Sequence, residues 1–114
     1  MKKIEKMAAQ GDILIRRIDA APDGSTHAKR INGGFIVAES ETHHHHMVHN
    51  KRVRMLQDGK DPLVCYLIVD GAYADLVHHR DVNAHETIRL PRGCYQIRRQ
   101  SEWTPEGWRR AVQD

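Results

Sequence analysis

The stretch Leu63-Val-Cys-Tyr-Leu-Ile-Val69 restricts the fold more than any other segment. It is too short for a typical helix, rich in β-forming side chains and shows no polar outer face, so it reads as a central strand buried on both sides. Such a strand needs partners, and the punctuation of the chain supplies them. Asp12-Ile-Leu-Ile-Arg-Arg-Ile18 is a β-branched run closed by the turn residues Pro22-Asp23-Gly24-Ser25. The tight turn Asn32-Gly33-Gly34 precedes Phe35-Ile-Val-Ala38, a second strand that runs towards the histidines. Residues 50–62 suit a short strand and an exposed turn ended by Pro62, and Asp70-Gly71 reads as a hairpin returning through Ala72–Val77. His85–Leu90 and Cys94–Arg99 follow as strands separated by Pro91-Arg92-Gly93, and Trp108–Val112 adds a last one after Thr104–Gly107.

About seven short strands in 114 residues predict one all-β domain, a small barrel or sandwich. Residues 1–10 are read as an N-terminal arm, a single helical turn through Ile4, Met7 and Ala8, or a short edge element, with the single β domain over 11–114. With one Phe, two Trp and three Tyr, the core must be mostly Ile, Leu and Val. No run approaches the ~18 apolar residues of a membrane span, and Lys2-Lys3 is not followed by the apolar region of a signal peptide. A cytoplasmic protein is therefore expected. Cys65 and Cys94 lack CxxC spacing and sit in apolar segments, which fits buried reduced thiols.

Nine histidines stand in the chain, four of them consecutive at His43–His46. Neutral imidazole is the commonest transition-metal ligand, and side chains alternate in an extended segment, so His44 and His46 project together while His43 and His45 face the other way. If the strand is regular, Ile36, Ala38 and Thr42 continue the parity of His44 and His46, while Phe35 and Val37 continue that of His43 and His45, so either pair can be the inner one. Further imidazoles must come from other strand ends, where His78, His79 and His85 stand, with His49 nearer in sequence. The competing reading is a solvated loop that binds metal adventitiously, as any polyhistidine does. His27 reads as a surface residue. Glu39, Glu41, Asp75 and Asp81 suit exposed loops as well as they suit proton transfer or support of a metal ligand. No nucleophile triad or phosphate-binding glycine loop can be assembled.

Gly34 to His46 followed by Pro91 to Gly93 resembles the cupin superfamily, whose first motif sets an HxH pair after a glycine-led strand and whose second contains PxG. That resemblance covers residues 34–100 and implies a jelly-roll barrel holding a metal near one mouth. His49 or Asn50 stands where the cupin motif carries Glu, and Gln96 where it carries its last histidine. The chain is also similar to short uncharacterised bacterial and phage proteins patterned as GD-strand, T-G-H-x-H, L-x-H, L-P-x-G-x-Y and R-x-Q-x-E. Gly11-Asp12, Thr42–His46, Leu76-Val77-His78, Leu90–Tyr95 and Arg98–Glu102 carry that likeness. It implies a metal set of His44, His46, His78 and His85.

The expectation from these observations is a small protein binding a divalent transition metal, whether zinc, nickel, iron or copper, with a phage or mobile-element accessory role. A metal-dependent cupin-type enzyme is the alternative, with no catalytic residue assigned. A third class is a nucleic-acid or anion binder using Arg89, Arg92, Arg98, Arg99, Arg109 and Arg110, with Trp103 and Trp108 to stack bases. Pairing of two copies as a homodimer through an edge strand is also open.

Overall fold

Two strands shape the molecule, and both are longer than the sequence pattern suggests. The computed structural model describes residues 2–3, 6–38, 45–78 and 87–99. His43, His44, His79, His85 and the strand expected over 108–112 lie outside them. In chain order the strands are β1 (Lys2–Lys3), β2 (Met7–Gln10), β3 (Ile13–Ile18), β4 (Thr26–His27), β5 (Phe35–Ala38), β6 (His46–Val48), β7 (Val53–Gln57), β8 (Val64–His78) and β9 (Ile88–Arg99). They form one sheet ordered β2-β3-β9-β8-β6-β5, with β1 added to β9 and the β7–β4 pair added to β8. Only β1 on β9 is a parallel pairing among them.

The hairpin expected at Asp70-Gly71 is instead a bulge inside β8. Val69 pairs Gly93 and Tyr73 pairs Pro91, so Asp70, Gly71 and Ala72 together oppose Arg92. Such an irregularity inverts the side-chain alternation. Cys65, Leu67 and Val69 face the core before the bulge, and Ala74, Leu76 and His78 face it afterwards. The backbone amides of Asp70 and Gly71 donate to Arg52 O at 2.9 and 3.2 Å, which ties the bulge to the start of β7. Pro91-Arg92-Gly93 likewise does not separate two strands but forms the matching bend of β9, where a missing N–H is tolerated. A side chain at Gly93 would meet the Arg17 guanidinium at 2.9 Å.

These bends fold the sheet into two lobes. One carries β2, β3, β7, β4 and the halves of β8 and β9 around Cys65–Val69 and Cys94–Arg99; the other carries β1, β5, β6 and the remaining halves. Ile13, Ile15, Leu67, Tyr95 and Ile97 of the first lobe pack in one buried cluster with Phe35, Val48, Leu76, Ile88 and Leu90 of the second. Among the described residues the end strands β2 and β5 do not pair with each other, so the sheet stays open and is not the closed barrel expected from the resemblance to cupins. A second cluster of Leu56, Val64 and Tyr66, backed by Ile18, Ala21 and Ile68, lies apart from the main core. It explains why the Leu63–Val69 stretch carries apolar side chains at consecutive positions.

Residues 7–10 adopt an edge strand rather than a helical turn, because Ala8 and Gln10 are buried while Met7 and Ala9 are exposed. A single arginine secures the loop before β5. Arg30 donates to the carbonyls of Gly33, Asn50, Lys51 and Val53 at 3.2, 2.7, 2.8 and 3.2 Å, and its guanidinium carbon lies 4.6 Å from the Phe35 ring centroid.

Both cysteines are buried free thiols. Burial pushes the Cys65 thiol up to about 12, and it also raises Cys94. Because the thiolate is the reacting species, native protein at pH 8 is expected to leave Cys65 unmodified by a thiol reagent over hours. Full labelling should appear only in denaturant. Mass spectrometry of the labelled chain checks this, and rapid native labelling of Cys65 would contradict the buried placement.

Candidate metal centre

The centre is assembled where the first lobe's edge hairpin reaches the end of the second. β2 and β3 pair through Gln10↔Ile13, which leaves Gly11-Asp12 as a two-residue turn. Gly11 takes a φ of +55°, a conformation that costs a side-chain-bearing residue steric strain. Opposite the turn, His46 opens β6 and pairs with His78, the last residue of β8. Because these two positions are direct cross-strand partners, their side chains share a face. The imidazoles stack with centroids 3.9 Å apart and planes inclined by 14°. His46 is 0% exposed and His78 6%.

Both nitrogens of His46 have partners on the edge hairpin. Gln10 Nε2 donates to Leu76 O at 2.9 Å, which fixes the amide and turns its oxygen towards the ring. His46 Nδ1–H therefore donates to Gln10 Oε1 at 2.8 Å. His46 Nε2 lies 2.9 Å from Asp12 Oδ1. Burial pushes the imidazole below its ordinary value, opposed by the hydrogen bond and the negative charge of Asp12. The amide oxygen of Gln10 can only accept, so Nδ1 carries a proton. With Gln10 accepting at Nδ1, the protonated ring donates from Nε2 to the Asp12 carboxylate at 2.9 Å, and the two form an ion pair.

Of the four expected ligands, the structure brings His46 and His78 together, while His44 and His85 lie outside the described residues. His46 faces inward, although not through a regular alternation carried on from β5. The chain reverses after Ala38, a bulge breaks the alternation between Ile36 and Ala38, and β6 runs antiparallel to β5 with Ala38 opposite His46. Phe35 and Val37, not Ile36, face the core. His27 and His49 are exposed. Among the described residues no group of three or more His, Cys, Asp or Glu side chains is gathered tightly enough to enclose an ion. The two rings lie side by side, so their lone pairs do not converge.

Gln10, Gly11 and Asp12 join the site without any histidine-like signal in the sequence. What points to them there is only the turn dipeptide Gly11-Asp12, with the parity that Gln10 shares with Ala8. The arginines expected to contact nucleic acid are largely engaged within the protein. Arg89 grips Asp75 through two contacts of 2.9 and 3.0 Å and lies 3.7 Å from the centroid of the Tyr73 ring. Arg98 bonds Asp61 at 3.2 Å, and Arg92 donates to Gly71 O at 3.3 Å. Trp103, Trp108, Arg109 and Arg110 lie outside the described residues, as do Glu39, Glu41 and Asp81. A small cleft of about 40 Å³ lies between β5 and the start of β8, lined in part by Val37, Ala38, Cys65 and Arg99. That volume is room for about one water.

The profile of a domain family, described as a domain of unknown function (DUF8820), matches residues 9–100. No curated protein and no solved structure matches the chain. Among the described residues no helix is long and apolar enough to cross a membrane.

Proposed function

The chain belongs to that family of unknown function, DUF8820, and we propose that it is a small β protein binding a divalent transition metal at His46. The observation that carries the reading is the buried, doubly hydrogen-bonded imidazole of His46 stacked on that of His78. Its Nδ1–H is held by Gln10 Oε1 at 2.8 Å, and Nε2 lies 2.9 Å from the half-exposed Asp12 carboxylate. Metal-binding imidazoles are characteristically oriented in this way, by a partner accepting from the nitrogen that does not bind the ion. His78, stacked at 3.9 Å, is the neighbouring imidazole. The likeness to cupins supports the same placement, near one end of the fold, although the sheet here remains open. Engagement of Arg89, Arg92 and Arg98 by the protein's own acceptors favours this reading over a nucleic-acid surface.

Metal content of untagged protein purified without added metal tests it. Near one equivalent of a transition metal is expected in the wild type and in His43→Ala/His45→Ala, and less than a tenth of that in His44→Ala/His46→Ala. No bound metal, or equal loss in both variants, would assign the histidine run to an adventitious solvated loop.

A further inference from the structure

We infer that the outer edge of β2 is a self-association surface, on which a second copy of this chain lays its own β2 antiparallel so that the two sheets become one. The inference does not depend on the metal-binding reading. Among the described residues β1, β2, β4 and β5 have a sheet neighbour on one side only. An open strand edge is a template for another strand, and folded proteins blunt such edges by keeping them short, charged or covered. β1 is a pair of lysines, and β4 is only Thr26-His27. β5 is covered, since Phe35, Val37 and Ala38 are buried and Val37 O accepts from Cys65 Sγ at 3.5 Å. β2 has none of these protections. Met7-Ala-Ala-Gln10 holds no charge and no proline, and its pairing with β3 runs without a bulge.

The backbone groups at that edge follow from the register. Met7 to Gln10 pair with Arg16 to Ile13, and one step earlier Arg17 N donates to Lys6 O at 2.8 Å. Bonded and non-bonded positions alternate along an antiparallel pair, so Lys6, Ala8 and Gln10 turn their amides and carbonyls to β3. Met7 and Ala9 turn theirs outward. A second β2 therefore fits best with Met7 opposite the partner's Ala9 and Ala9 opposite the partner's Met7, each exchanging N–H···O bonds in both directions. The two-fold axis then passes between Ala8 and the partner's Ala8, and the contact is closed and self-complementary. Centring it on Ala9 would instead leave the Met7 groups facing the turn at Gly11.

The side chains agree with that register. Met7 is 61% exposed, more than Ile31 or Tyr73, the other large apolar side chains left at the surface among the described residues. In the paired strands it lies over the partner's Ala9 and next to the partner's Leu14, the residue that opposes Ala9 on β3. On the opposite face only the small Ala8 meets its copy. No like charges are brought together, because Lys6 falls opposite the partner's Gln10. A contact this short is below the size of a standard stable interface, so exchange between monomer and dimer at about 100 µM is expected.

The test is sedimentation velocity of the full, untagged chain in chelator, from well below to well above that concentration, together with amide exchange. The wild type should pass from monomer to dimer, and the Met7 and Ala9 amides should exchange more slowly as it does, while those of Ala8 and Gln10 stay unchanged. Ala9→Pro removes an edge N–H that β3 does not use, so the monomer should keep its near-ultraviolet circular dichroism while association weakens at least about 10-fold. Met7→Lys removes the apolar cover and adds the missing charge, and should weaken association by a similar factor. Ile31→Lys, an equally drastic change on the loop before β5, should leave it unaltered. A monomer at every concentration, including one that associates only when metal is restored, would overturn the proposal. So would a dimer that Ala9→Pro and Met7→Lys leave intact, which would place the contact on another surface. Met7 and Ala9 amides protected at every concentration would show that residues of the same chain outside those described already pair with the edge, and would overturn it too. If Ala9→Pro does not fold, Met7→Lys against Ile31→Lys decides: equal association in the two would refute the β2 edge, and weakening in Met7→Lys alone would support it.

Discussion

Gly11→Ala is expected to cost the domain about 3 kcal/mol of stability, roughly 1–2 from the left-handed backbone and a similar amount from overpacking. The two contributions have separate structural causes. At a φ of +55° any L side chain is strained, and a Cβ would also fall 2.6 Å from His78 Cε1 and 3.0 Å from its Nδ1. Those ring atoms belong to a side chain that stacks on His46 and is itself buried, so they cannot simply swing into solvent. Gly24 isolates the first cause. It has a φ of +89°, and a Cβ there would have nothing within 4 Å, so Gly24→Ala should lose only about 1 kcal/mol. Urea unfolding with an unchanged m-value measures both. A difference under about 0.5 kcal/mol between the two variants would mean that the histidine pair yields easily and that the turn does not brace it.

What is legible in the sequence follows from local rules. The strands around Ile13–Ile18 and Phe35–Ala38 can be read because β-branched runs end in Gly, Pro and Asp turns, and His46 and His78 stand out as imidazoles at strand ends. The same punctuation misleads when read too literally. Asp70-Gly71 has the composition of a hairpin and Pro91-Arg92-Gly93 that of a strand break, yet both are accommodated as facing bends in one long antiparallel pair. A bulge needs residues of the same kinds as a turn, and the choice between them depends on a pairing made by distant residues, here Arg52 O with the amides of Asp70 and Gly71. That bend determines the site. Without its inversion of parity the core face that carries Cys65, Leu67 and Val69 would not continue into Ala74, Leu76 and His78. Gln10 and Asp12 are hidden for a related reason, since their relevance comes from 36 and 34 residues of sequence separation closed by the folding of one lobe on the other. Nothing local to Gln10 shows that its amide will be fixed by Leu76.

Arg30 is equally invisible in the sequence, and Arg30→Met is expected to lose about 3 kcal/mol, in the range for removing charged hydrogen bonds from partly buried acceptors. Its guanidinium serves the carbonyls of Gly33, Asn50, Lys51 and Val53 at once, tying the loop before β5 to the entry of β7 while covering Phe35 at 4.6 Å. Methionine keeps much of the apolar stem but no donor, so the contacts at Asn50 and Val53, the two partly buried ones, lose their partner. Arg30→Lys should recover less than half of the loss, because an ammonium cannot reproduce a planar fork that reaches carbonyls on two segments. Arg54 supplies the contrast. It forms an equally well-made pair with Asp70 at 2.8 and 2.9 Å, but both side chains are more than a third exposed, and Arg54→Ala should cost under about 1 kcal/mol. Urea midpoints rank the three variants, and amide exchange adds the location. Faster exchange at Gly34 and Val53 in Arg30→Met, with β9 amides unchanged, would mark a local clamp. Equal costs for Arg30→Met and Arg54→Ala would show that the four carbonyls are satisfied as well by water, and that the loop before β5 is held by Phe35 alone.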